Sequence, residues 1–184
     1  MRLFFAFAFP ERIKHIVAQN VSILRREIPK GIKWVEKENL HITFRFLGEV
    51  NPNILDDLSR QVKIISRTFY SFSISLGKLE IVPNLHRPRI IWYNMIENSD
   101  TANKIFYEVE KILKNFGFEK SNRPLKLHAT LGRIKYSVNA NWETIIKKIK
   151  PISETIMCKE LTLFKSQLTA SGPIYTVVQK FNFK

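Results

Sequence analysis

Cysteine is almost absent from this chain: among 184 residues there is one, Cys158. A single thiol excludes an internal disulfide and a cysteine-based zinc cage, and it suits a reducing compartment. Its expected place is the core, as a small hydrophobe. Long apolar runs are missing too, since no stretch approaches the roughly 18 residues a membrane helix needs. The apolar opening from Met1 to Pro10 is short and lacks a small-residue cleavage site, so it reads as a strand rather than a secretory signal. Acidic residues are scarce, 16 against 30 Lys and Arg, which leaves a formal net charge of +14. Such an excess favours a polyanionic partner, with nucleic acid ahead of a membrane surface. The cations are spread along the chain (Arg25, Arg26, Lys111, Lys114, Lys147, Lys148), so most read as solvated helix faces. No Gly-x-x-x-x-Gly-Lys loop cradles a triphosphate and no Gly-x-Ser-x-Gly elbow presents a nucleophile. With 45% apolar residues the chain can build a packed core, and the expectation is a soluble, cytoplasmic monomer without a cofactor.

Histidine is also rare, yet two of the four share one frame. Leu40-His41-Ile42-Thr43-Phe44 recurs as Leu127-His128-Ala129-Thr130-Leu131. On a strand, alternate side chains reach opposite faces, so each copy sends an imidazole and a hydroxyl to one face and apolar groups to the other. Two imidazoles, with ordinary pKa values near 6.5, divide acid and base work at neutral pH with little tuning. Thr43 and Thr130 add hydroxyls to hold phosphoryl oxygens. This is the equipment for opening a cyclic phosphodiester. It is a poor metal site, because two histidines and two threonines leave zinc short of ligands.

Periodicity lays out the rest. Strands are expected over 3–9, 32–35, 40–47, 69–76, 90–96, 125–134, 155–164 and 174–183. Helices are expected from Glu11 to Ile28, from Ile54 to Ile65, over 101–116 with Gly117 as its cap, and from Trp142 to Ile149. The segment from Gly77 to Pro88 reads as a link between halves 1–80 and 88–184 of one domain, and Ser171-Gly172-Pro173 reads as a turn. Strand, helix, motif strand, helix, strand thus runs twice, an internal duplication of architecture. If the halves pack about a pseudo-two-fold axis, the motif faces converge on one groove.

Weaker candidates surround the motifs. In an unbroken strand Arg45 extends the His41 face and meets a phosphate; Lys126 and Arg133 flank the second motif, and Tyr175 is a candidate to stack a base. Phe5, Phe7 and Phe9 are candidates of the same kind, with core packing the stronger expectation for all four aromatics, and His15 and His86 are expected in solvent.

At these residues the chain resembles the 2H phosphoesterase superfamily, and within it the RNA 2′,3′-cyclic phosphodiesterases, also called 2′-5′ RNA ligases. The likeness runs nearly end to end: Met1 to Ala6, Trp34 to Val50, Pro88 to Trp92, Arg123 to Arg133 and Leu163 to Ser166. Leu127, Gly132 and Phe44 depart from the family's usual proline, alanine and leucine. The resemblance implies an α+β, bilobal fold, with two pseudo-two-fold-related β-sheet lobes, helices on the outer faces and a central cleft. It implies metal-independent hydrolysis of 2′,3′-cyclic phosphate RNA ends to 2′-phosphates, and reversible 2′-5′ joining of RNA halves, tRNA halves among them. It also implies His41 as proton donor and His128 as proton acceptor, which the residues themselves do not tell apart. Two other readings stay open: an RNA-binding module without turnover, and a related phosphodiesterase acting on 2′-5′ oligonucleotides or ADP-ribose cyclic phosphate.

Overall fold

Leu3, Phe5 and Phe7 alternate with Phe4 and Ala6, and a strand must send the two sets to opposite faces. In the computed structural model, which describes residues 1–136, 138, 140–170 and 172–184, this segment is β1 (Arg2–Ala8), buried on both faces. It is followed by α1 (Glu11–Glu27), whose Ile13, Val17, Val21 and Leu24 recur at helical spacing and are buried. Glu11 in its first turn and Arg25 and Arg26 in its last complement the helix dipole. The remaining elements are β2 (Ile32–Trp34), β3 (His41–Glu49), α2 (Leu55–Ser66), β4 (Phe72–Val82), β5 (Ile90–Ile96), α3 (Thr101–Asn115), β6 (His128–Ile134), α4 (Trp142–Lys147), β7 (Thr155–Cys158), β8 (Glu160–Leu168) and β9 (Pro173–Asn182).

The strands form two antiparallel sheets, ordered β3-β1-β8-β9 and β2-β6-β5-β4-β7. The β1–β3 pair of the first corresponds to the β5–β6 pair of the second. Ala8 lies opposite His41 and Ala6 opposite Thr43, just as Asn94 lies opposite His128 and Trp92 opposite Thr130. Helices cover the faces turned away from these motif residues. Phe44 of β3 meets Phe106 of α3 with ring centroids 5.4 Å apart, and Asn20 of α1 donates to the Tyr93 hydroxyl of β5 at 2.8 Å. The fold is therefore α+β and bilobal, and β3 and β6 pack against each other where the two sheets meet.

Three expectations are corrected. Gly77 does not open a linker: β4 runs on to Val82, with a register irregularity between Leu76 and Leu79, and the following turn joins β4 to β5 within one sheet. The sequence halves are consequently not the lobes, because β2 and β4 cross into the second sheet and β8 and β9 into the first. The single strand expected over 155–164 is two, β7 in the second sheet and β8 in the first, broken at Lys159. Of the expected turn at 171–173, Ser171 lies outside the described residues. Cys158 is buried, and burial pushes its thiol up to about 12, as suits a core position.

Candidate active site

Each motif strand begins at its histidine, and each imidazole is fixed the same way. Nδ1 of His41 lies 2.7 Å from the Asn39 carbonyl, and Nδ1 of His128 lies 2.7 Å from the Lys126 carbonyl. A carbonyl only accepts, so both Nδ1 atoms carry the proton and each Nε2 is left for chemistry. His41 Nε2 lies 3.0 Å from the Thr43 hydroxyl. Aromatic rings wall the imidazoles. His41 sits 5.1 Å from Phe4 and edge-on to Tyr175 at 5.3 Å, while His128 lies over Trp92 at 4.4 Å, whose indole N–H donates to Glu80 at 2.9 Å.

This burial disfavours the charged ring. It pushes His41 down to about 4, helped by the nearby His128 and Arg133 and opposed by the Asn39 carbonyl. His128 is lowered by burial too, with Lys126 and Arg133 adding to the effect and the Lys126 carbonyl opposing it. The Arg133 guanidinium thus lies within electrostatic reach of both imidazoles and of Tyr175.

A cleft of about 500 Å³ collects His41, Thr43, Thr130, Arg133 and Tyr175, together with Asn39, Phe46, Trp34 and Lys33. Phe46 and Arg133 enter it for one reason. In β3 the register steps from Phe5 opposite Arg45 to Ala6 opposite Thr43, leaving Phe44 as an extra residue. In β6 it steps from Ile91 opposite Gly132 to Trp92 opposite Thr130, leaving Leu131 extra. An extra residue reverses which face later side chains take. The residue three beyond each threonine, Phe46 or Arg133, therefore faces the cleft.

The same bulge overturns the expectation for Arg45. It turns toward the helices, where its Nε donates to Glu110 at 2.5 Å and its Nη2 to the Glu119 carbonyl at 2.6 Å. Both side chains of that ion pair are largely buried, so Arg45 is structural and does not line the cleft. Lys126 does not line the cleft; its ammonium stands 4.7 Å from the Trp92 ring, within electrostatic reach of His128. His15 and His86 are exposed, and Phe5, Phe7 and Phe9 are buried in the core, as expected. The sequence reading missed Phe46, Lys33, Trp92 and Asn39; a bulge in each motif strand would have pointed to the first. Among the described residues no three His, Cys, Asp or Glu side chains gather to hold a metal ion.

Comparison with known proteins places the chain in a family. The family model described as LigT like phosphoesterase matches residues 9–92 and 96–175. The chain is 36% identical over 183 residues to the RNA 2′,3′-cyclic phosphodiesterase of Methanocaldococcus jannaschii, covering 98% of this chain and 100% of that one. It is 33% identical over 184 residues to the protein of the same name from Archaeoglobus fulgidus, covering 98% and 99%. A crystal structure from Thermus thermophilus superposes with a TM-score of 0.83 at 24% identity, over 99% of this chain and 97% of that one. Escherichia coli LigT, complexed with NADP+, gives 0.77 at 23% identity, over 99% and 96%. At such identities the solved structures speak to the fold alone. The family match and the archaeal relatives go further: this chain belongs to the LigT-like phosphoesterases of the 2H phosphoesterase superfamily.

Proposed function

We propose that the protein hydrolyses 2′,3′-cyclic phosphate ends of RNA to 2′-phosphates, with His41 and His128 as acid and base. One observation carries this reading: two imidazoles, each with Nδ1–H tied to a carbonyl, stand within electrostatic reach of each other and of the Arg133 guanidinium, and His41, Thr43, Thr130 and Arg133 line one cleft. The archaeal relatives bear the name of that activity, and the resemblance supplies the division of roles. His128 Nε2 takes a proton from water as its oxygen attacks phosphorus. The bond to the 3′-oxygen breaks, and His41 Nε2 gives that oxygen a proton. Thr43, Thr130 and Arg133 hold the non-bridging oxygens as negative charge gathers on them. Phe46 and Tyr175 offer ring faces to the base.

If a 5′-hydroxyl of a second RNA end replaces water, the same proton transfers join the two through a 2′-5′ linkage, and tRNA halves are the proposed partners for that reaction. An anionic phosphate in the cleft also raises both imidazoles toward their ordinary range, which readies His41 as an acid when substrate binds.

The test uses RNA ending in a 2′,3′-cyclic phosphate, in EDTA and without nucleoside triphosphate. The expected product keeps the phosphate on the 2′-oxygen, and His41→Ala and His128→Ala each lose about 10²- to 10⁴-fold in kcat/KM. The kcat/KM profile is expected to be bell-shaped, with its optimum below the ordinary imidazole value of 6.5, because both rings are lowered in the empty cleft. Full activity in either variant, or a flat profile from pH 5 to 9 with chemistry rate-limiting, overturns the reading. Salt-sensitive RNA binding without any product would favour the binding-module alternative.

A further inference from the structure

Along β2 the cleft carries a charge that the chemistry at phosphorus does not use. Lys33 lines the same cleft as His41 and Arg133, and in the β2–β6 pairing it lies directly opposite Arg133. Directly opposed residues of an antiparallel pair share a face, and like charges there destabilise the sheet unless something neutralises them. Neither cation has a carboxylate partner among the described residues, whereas Arg25, which also lines the cleft, is paired with Glu36 at 3.1 Å. Among the described residues Glu36 is the one acidic side chain lining the cleft, so Lys33 and Arg133 stand as a net double positive charge facing solvent.

The seating of β2 makes this juxtaposition a fixed one. A Cβ at Gly132 would stand 2.8 Å from Ile32 Cγ2 and 2.9 Å from Trp34 Cε3. Glycine there permits the close approach that pairs Trp34 with Gly132 and Lys33 with Arg133. Arg133 is the member within electrostatic reach of both imidazoles, and Lys33 lies one strand further out, about 5 Å along the hydrogen-bonding direction. Two cations on adjacent strands, each without a carboxylate of its own, can each take a separate phosphate of one chain.

We infer that Lys33 and Arg133 form a two-strand clamp for successive phosphates of a polynucleotide, Arg133 on the cyclic phosphate and Lys33 on the phosphodiester 5′ to the terminal nucleotide. The inference rests on the proposed function and deepens it, because the preferred substrate becomes an RNA end at least two nucleotides long. A lone nucleoside 2′,3′-cyclic phosphate leaves Lys33 without an anion.

The experiment compares adenosine 2′,3′-cyclic phosphate with the dinucleotide ApA ending in a 2′,3′-cyclic phosphate, for the wild type and Lys33→Gln. A charge-assisted phosphate contact predicts about a tenfold kcat/KM preference for the dinucleotide in the wild type. In Lys33→Gln that ratio falls to near one, through KM rather than kcat. The slope of log KM against log salt for the dinucleotide becomes shallower by about 0.7, one single-strand phosphate contact. Equal loss on both substrates, or an unchanged ratio, overturns the clamp. Calorimetric binding of the two corresponding 2′-phosphate products runs beside the kinetics. If the wild type turns over neither substrate, the proposed function fails, and the affinity ratio of the products still decides the role of Lys33. Lys33 is exposed on a short edge strand, and Lys33→Gln relieves a like-charge pair, so the variant is expected to fold with a melting temperature no lower than that of the wild type.

Discussion

His41 is held as a neutral ring by its burial, and that has a cost in stability that depends on pH. Its folded value is about 4 against an ordinary 6.5, because the rings around it exclude the water a cation needs. Between those two values the unfolded chain binds a proton that the folded chain does not. Stability therefore rises with pH across this window, is fully present above 6.5, and is lost as pH falls toward 4. From pH 7 to pH 5 the contribution of His41 amounts to a loss of about 2 kcal/mol. Urea denaturation of wild type and His41→Asn at the two pH values reads it directly: the variant's stability should fall by about 2 kcal/mol less. Equal falls in both would mean that the imidazole is not buried against its proton. That the two histidines and two threonines begin the motif strands is legible in the sequence, because strand alternation needs only local spacing. Arg45 is not. Its face depends on the extra residue at Phe44, and a bulge is set by pairing with β1, which local spacing does not record. Lys33 was missed for the same kind of reason, since its meaning comes from a partner, Arg133, far along the chain.

Elements were read well where a hydrophobic period ran without interruption and poorly where a glycine broke it. The helices α1 and α3 and the strands β1, β3 and β5 lie within a residue or two of their expected bounds. In the sequence Gly77 reads as a strand's end, yet it sits inside β4, at a bulge rather than a break. The reason is close approach: a Cβ there would stand 2.9 Å from the Asn94 carbonyl oxygen and 3.2 Å from Ile96 Cδ1. Asn94 is the residue paired with His128, so Gly77 lets β4 close on the strand that backs the second motif. Gly77→Ala is expected to cost about 1–3 kcal/mol by overpacking. The displaced carbonyl should also disturb the setting of His128. A lowered urea midpoint with an unchanged m-value, together with a fall in kcat per folded molecule, would bear this out; an unchanged midpoint would show that β5 yields without strain.

At the scale of the molecule, the exchange of strands ties the lobes together. The first half of the chain gives β2 and β4 to the second sheet and the second half gives β8 and β9 to the first, so neither sheet can form from one half alone. One continuous set of buried residues joins β1 and β3 to β5 and β6. Phe7 of β1 touches Phe72 of β4 across the sheets, centroids 5.6 Å apart. From sequence the duplication reads as two successive units, because order along the chain does not show which sheet receives each strand. The cleft chemistry needs the two motif strands to keep one separation, and a shared core with exchanged strands maintains it better than two lobes on a hinge. The three tryptophans make the point testable, since Trp34, Trp92 and Trp142 lie in β2, β5 and α4, all on the side of the second sheet. Tryptophan fluorescence therefore reports that lobe, and far-ultraviolet circular dichroism reports both. The two denaturation curves should coincide with one midpoint and one m-value, as a cooperative unit requires. A fluorescence transition displaced from the dichroism transition would mean that the lobes unfold separately and that the separation of His41 and His128 is not fixed by the core.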